Sequence, residues 1–171
     1  MKKLLIIDMQ KGFINKNNRF LIKRIKNLID NGKFDVVLAT KFENFSNSQY
    51  EKWLSWSKLK NEAEQALETE IEKRANIVIE KNSYAISDEQ FSKWFHQEDE
   101  VYLCGTDYDA CVLAVAFQLF DHNIKPYILI DCVGSHSDFP INKSDFERIC
   151  IKNFGADAIK YKVCDVALLE N

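Results

Sequence analysis

Five short stretches of this chain are apolar without interruption: residues 4–7 (LLII), 36–39 (VVLA), 77–79 (IVI), 101–104 (VYLC) and 127–130 (YILI). A strand with one solvated face alternates apolar and polar residues. Runs that do not alternate suit strands covered on both faces, as in parallel sheets. Between the runs, apolar residues recur at three- and four-residue spacing. Examples are Phe20, Leu21, Ile25, Leu28 and Ile29; Phe91, Trp94 and Phe95; Val112, Val115, Ala116, Leu119 and Phe120; and Phe146, Ile149, Cys150 and Phe154. Strands alternating with amphipathic helices imply right-handed crossovers. The expected fold is α/β, a three-layer αβα arrangement around a six-stranded, mostly parallel sheet with Rossmann-like topology. The sixth strand would begin at Ala158-Ile159. With 171 residues and no Pro- or Gly-rich linker, a single domain spanning residues 1–171 is expected.

In such a sheet, ligands bind beyond the carboxyl ends of the strands. Three chemically distinctive residues fall there: Asp8 after the first run, Lys81 after the third and Cys111 after the fourth. Cys111 is placed in the first turn of a helix, where unpaired N–H groups favour negative charge, so a lowered thiol pKa is expected. Two other chemistries drop out. No GxGxxG follows the first strand, against dinucleotide binding. The second run ends in Ala39-Thr40, so the acidic cluster of a phosphoacceptor domain is missing.

Charge and composition narrow the partners. A net charge of −3 argues against non-specific nucleic-acid binding. No run approaches the ~20 apolar residues of a membrane helix. The five cysteines (104, 111, 132, 150 and 164) show no zinc-type pairing, and read as reduced thiols. With no signal-peptide pattern at the start, a cytoplasmic location is expected.

Elsewhere Ser87, followed by Asp88 and Glu89, reads as a helix N-cap. The spacing of Trp53, Leu54, Trp56 and Leu59 predicts an aromatic helical stretch that serves as core or subunit contact. Residues 61–71 read as one acidic amphipathic helix. Asp131 is expected at the end of the fifth strand. Asp131 and Ser135-His136 offer the rim of a site, though a self-satisfied loop is the preferred reading.

Three segments, LLIIDMQKGF, IVIEKNSYAI and LCGTDYDACVLAVAFQLFD with the following PYILIDCVGSHS, resemble in order the isochorismatase-like cysteine hydrolases, which include the nicotinamidases. The resemblance spans about residues 3–160 and implies a catalytic triad of Asp8, Lys81 and Cys111. It also implies a cis peptide at Thr106-Asp107, and an oxyanion hole made by the backbone N–H groups of Asp107 and Cys111. Gln10, Phe13, Phe42, Tyr84 and Tyr108 lie beside matched positions and are the expected substrate-pocket walls. Nicotinamidases carry Asp-x-His after the second strand to bind a metal. Here those positions are Phe42 and Asn44, so no metal and no other cofactor is expected.

The function implied is hydrolysis of a small amide or related C–N bond through a Cys thioester. A small molecule would be the substrate, and a homo-oligomer (dimer or tetramer) the working form. Two alternatives stay open. One is an isochorismatase-type vinyl-ether hydrolase that uses Asp8 without the cysteine. The other is a non-catalytic binding module on the same fold.

Overall fold

The computed structural model describes residues 1–161, so Cys164 and the tail lie outside the described residues. Six strands form one sheet in the order β3-β2-β1-β4-β5-β6. They are β1 (Lys2–Ile7), β2 (Val36–Phe42), β3 (Ile77–Lys81), β4 (Glu100–Thr106), β5 (Pro126–Gly134) and β6 (Ile159–Lys160). Every adjacent pair is parallel.

The apolar runs are buried on both faces, as continuous hydrophobicity requires. Leu5 and Ile7 of β1 join one core with Leu38, Leu103 and the buried face of α6 (Leu113–Asp121). Leu4 and Ile6 point the other way, into a second core with Leu21, Ile25 and Leu28 of α1 (Phe20–Asn31). Ser87 caps α5 (Asp88–Trp94), its side chain accepting from the Gln90 N–H. Helix α7 (Lys143–Phe154) buries Phe146, Cys150 and Phe154 and stops at Gly155. No helix among the described residues is long and apolar enough to cross a membrane.

The segment between β2 and β3 departs from its periodicity. Helix α2 (Gln49–Leu54) ends before Trp56, because Ser55 turns left-handed and lets the Trp56 N–H donate back to the Tyr50 carbonyl at 3.0 Å. The single acidic helix expected over residues 61–71 is two short turns, α3 (Glu62–Gln65) and α4 (Thr69–Glu72). They are separated where Leu67 forms an isolated antiparallel bridge with Gln10. That long-range pairing overrides a helical pattern too short to be stable alone. Asp131 lies within β5 rather than at its end, because β5 runs on to Gly134 past a register shift opposite Leu103 and Gly105.

Candidate active site

Asp8, Thr40 and Lys81 are brought together by the adjacency of β1, β2 and β3. Asp8 leaves β1 with a left-handed φ of 48°. Its N–H donates to Thr40 Oγ1 at 3.0 Å, and the Thr40 hydroxyl donates back to Asp8 Oδ1 at 2.6 Å. This reciprocal pair holds an uncommon backbone conformation and fixes the carboxylate. Lys81, the last residue of β3, reaches Asp8 Oδ2 with Nζ at 2.8 Å, and both side chains are fully buried. Apart from this contact with the ammonium, Oδ2 has no hydrogen-bond partner among the described residues. It keeps a lone pair for a proton.

Lys81 Nζ also donates to the carbonyls of Ser83 (2.9 Å) and Tyr84 (3.3 Å), and sits 3.5 Å from Cys111 Sγ. Burial alone would lower its pKa, but the charges and hydrogen bonds of Asp8 and Cys111 outweigh burial and raise it. Lys81 is therefore an ammonium.

Cys111 lies in a π-wound turn, Tyr108–Val112, that precedes α6. The N–H groups of Ala110 and Val112 both close onto the Asp107 carbonyl at 3.1 Å. The peptide between Thr106 and Asp107 is cis. The expectation of a lowered thiol pKa is overturned. Burial, and then the negative charge of Asp8, push Cys111 well above the ordinary thiol range, with Lys81 opposing. The resting group is a neutral thiol, because a 6% exposed residue feels desolvation and a carboxylate more than a helix terminus.

Above Cys111 opens a cavity of about 220 Å³. Its walls are aromatic: Phe13, Phe42, Tyr50, Trp56 and Tyr84. Phe13 stacks on Trp56 with ring centroids 5.8 Å apart, and Tyr50 meets Phe42 and Tyr84 edge-on at 5.1 and 5.3 Å. Burial raises the Tyr50 pKa to about 12, so its phenol stays neutral. Asp107, Ala110, Leu54 and His136 complete the lining.

Of the expected pocket residues, Phe13, Phe42 and Tyr84 line this cavity, while Gln10 and Tyr108 do not. The Gln10 side chain is consumed in bonds to the Phe42 N–H and to the carbonyls of Phe42 and Gln65. It pins the β2 end to the following segment. Tyr108 turns to the opposite side, its hydroxyl donating to the Ile141 carbonyl and its ring packing on Phe146.

Leu54 and Trp56, expected as core or subunit contact, and His136, expected in a self-satisfied loop, also line the cavity, as does Tyr50, which the sequence does not single out. The aromatic density of residues 50–56 is the available signal. Trp53, by contrast, is 79% exposed and outside the lining, so Trp53 and Trp56 do not act as one cluster.

The positions that hold metal in nicotinamidases do not fit a cation here. Phe42 has no donor atom. Asn44 is spent locally, its amide donating to Lys58 and its oxygen accepting from Ser48 and Phe45. Among the described residues, no three His, Cys, Asp or Glu side chains gather into a metal cluster elsewhere.

A family description, the isochorismatase domain, matches residues 2–156. No curated protein matches the sequence. Among solved structures, the chain superposes on PnC1 from L. infantum in complex with nicotinate, with TM-score 0.76 and 19% identity, covering 95% of this chain and 96% of that one. N-carbamoylsarcosine amidase from Thermoplasma acidophilum gives 0.75 and 18%, covering 96% of each chain. The nicotinamidase of Bacillus subtilis gives 0.69 and 19%, covering 93% of this chain and 99% of that one. These likenesses agree with the parallel six-stranded architecture. With the family match over nearly the whole length, they lead to one conclusion: this chain belongs to the isochorismatase family and is a hydrolase.

Proposed function

We propose that this chain is a cysteine hydrolase that cleaves a small amide, or a related C–N bond, through a thioester on Cys111. The observation that carries the reading is the buried contact of three groups: Lys81 Nζ lies 2.8 Å from Asp8 Oδ2 and 3.5 Å from Cys111 Sγ. Cys111 lines an aromatic cavity large enough for a small molecule, and Asp8 and Lys81 are buried beside it.

In this reading Cys111 Sγ attacks the carbonyl carbon as its proton passes to Asp8 Oδ2. Lys81 is the one donor facing that oxygen among the described residues, which leaves a lone pair for the proton. Because the resting thiol is neutral, proton transfer and attack belong to one step. The negative charge on the substrate oxygen is met by the N–H groups of Asp107 and Cys111. The neighbouring N–H groups of Ala110 and Val112 are already bound to Asp107. As the C–N bond breaks, Asp8 gives its proton to the leaving nitrogen. Asp8 next deprotonates a water that attacks the thioester, and as the C–S bond breaks it returns that proton to the Cys111 sulfur, so that the acid leaves and the resting thiol is restored. Lys81 keeps its charge throughout, steadying Asp8 and the sulfur as negative charge moves between them.

The test is a panel of small amides, with the acyl-enzyme trapped by acid quench and weighed by mass spectrometry. The expected result is an adduct on Cys111 and loss of turnover in Cys111→Ala and Asp8→Asn. Vinyl-ether hydrolysis that survives Cys111→Ala would establish the ether-hydrolase reading instead. No turnover of either class would favour a binding module.

A further inference from the structure

His136 has no part in the scheme above, yet it is built into the cavity wall. Two features fix it there. The loop carrying it is tied to the segment after β1, with Asn15 Nδ2 donating to the His136 carbonyl at 2.7 Å and Asn17 Nδ2 to the Ser137 carbonyl at 3.1 Å. The ring stands edge-on to Phe13, with centroids 5.2 Å apart.

Asp107 then orients the imidazole. Its Oδ2 lies 2.5 Å from His136 Nδ1, and its Oδ1 accepts the His136 N–H at 2.8 Å and the Thr106 hydroxyl. Burial would raise the Asp107 pKa, but the hydrogen bonds and charge of His136, with Thr106, hold it below the usual carboxylate range. Asp107 is thus an acceptor on both oxygens, so Nδ1 must carry the hydrogen. The other ring nitrogen, Nε2, takes no hydrogen bond from any described residue. An oriented imidazole with one nitrogen in use and one spare, in an otherwise aromatic wall, is a recognition device.

We propose that His136, positioned by Asp107, is the specificity-determining residue of this cavity, and that it reads a carboxylate substituent on the substrate. The inference rests on the amide-hydrolase reading for the identity of the substrate's other end. An anionic acceptor at Nε2 needs a hydrogen on that nitrogen, and the Asp107 carboxylate at Nδ1 is placed to balance it. That carboxylate stands 2.5 Å from Nδ1. The stacked and edge-on rings of Phe13, Trp56 and Tyr50 favour a flat body between the two reading points. The substrate class is therefore a small, flat amide that also carries a carboxylate.

The probes are benzamide and 3-carboxybenzamide, which differ only in that group. Their binding to the Cys111→Ala protein is measured by calorimetry, so that catalysis plays no part. The carboxylated amide is expected to bind on the order of tenfold tighter, as one charge-assisted hydrogen bond allows. His136→Asn retains a donor that can take the place of Nδ1 towards Asp107, but it has nothing in place of Nε2. It should erase the preference, so that the two probes bind the variant equally. Equal binding of the two probes, no binding of either, or a preference that survives His136→Asn would overturn the proposal. A preference without turnover in the unmutated protein would leave it standing and remove the thioester reading instead.

Discussion

Asp8 raises the proton affinity of the sulfur it serves. Its charge keeps Cys111 protonated at rest, and in the proposed mechanism the same carboxylate is the base that removes the proton during attack. The two roles separate by mutation. In the intact protein, alkylation of Cys111 by iodoacetamide should be slower at pH 7.5 than for an ordinary thiol of pKa about 8.5, and should rise only as pH climbs above that range. Asp8→Asn removes a negative charge from beside the sulfur, so the thiolate fraction grows and alkylation should quicken by about tenfold or more. The same change removes the proton acceptor, so hydrolysis should fall by a factor of about 10²–10⁴. Lys81→Met should act oppositely on alkylation and slow it. Peptide mapping separates Cys111 from the other four thiols. An Asp8→Asn protein that alkylates more slowly than wild type would contradict this account. At this scale the sequence is informative, because Asp8, Lys81 and Cys111 each follow an apolar run and strand ends share one edge. The charge state of Cys111 is not legible there. It depends on burial and on a carboxylate 103 positions earlier in the chain.

At the scale of elements, the junction of β1 and β4 sets the site. Gly105 pairs with Ile7, the residue before Asp8, and takes a φ of +112°. A Cβ there would lie 2.2 Å from the Ile7 carbonyl oxygen and 2.7 Å from its nitrogen, both backbone atoms that cannot rotate away. Gly105→Ala should therefore cost roughly 3 kcal/mol, combining backbone strain with overpacking. Urea unfolding measures it as a lower midpoint, and a wild-type midpoint would show that the two strand ends can part at no cost. Strands and long helices are readable because their signal is local. The segment between β2 and β3 is not, since its break at residues 66–68 is made by Gln10, which bridges Leu67 and bonds the Gln65 carbonyl. The place of His136 in the cavity is illegible for the same reason. Its partner Asp107 lies 29 residues away on a different strand end.

Across the whole molecule, chemistry and anchorage occupy opposite edges of the sheet. The carboxyl edge carries Asp8, Lys81, Cys111 and the cavity. The amino edge carries a buried ion pair: Lys3 Nζ lies 2.5 Å from Asp99 Oδ2 and donates to the Trp94 carbonyl at 2.7 Å. The Asp99 carboxylate also accepts the His96 N–H at 2.8 Å and faces the N-terminal ammonium at 3.2 Å. This knot ties the start of β1 to the segment that joins α5 and β4. Burial would push the Asp99 pKa up, but the bonds from Lys3, the His96 N–H and the N-terminus overcome it, so the group is held below the usual carboxylate range. The unfolded chain therefore binds a proton at a higher pH than the folded one. The stabilisation is fully present above the ordinary Asp range and is lost as pH falls through the lowered value. Asp99→Asn should destabilise the protein by about 3 kcal/mol near neutral pH, because Lys3 is left as a buried charge without its partner. The gap between variant and wild type should begin to close as pH drops below about 3.9, where the unfolded wild-type chain takes up a proton at Asp99, and should vanish only below the lowered value of the folded protein. Turnover per folded molecule should be unchanged, since no group at the carboxyl edge touches this pair. Urea unfolding across pH, with activity measured where both proteins are folded, checks both halves. A variant as stable as wild type at pH 7 would mean that the knot contributes nothing. A stability loss accompanied by lost turnover would mean that the two edges of the sheet are coupled through its strands.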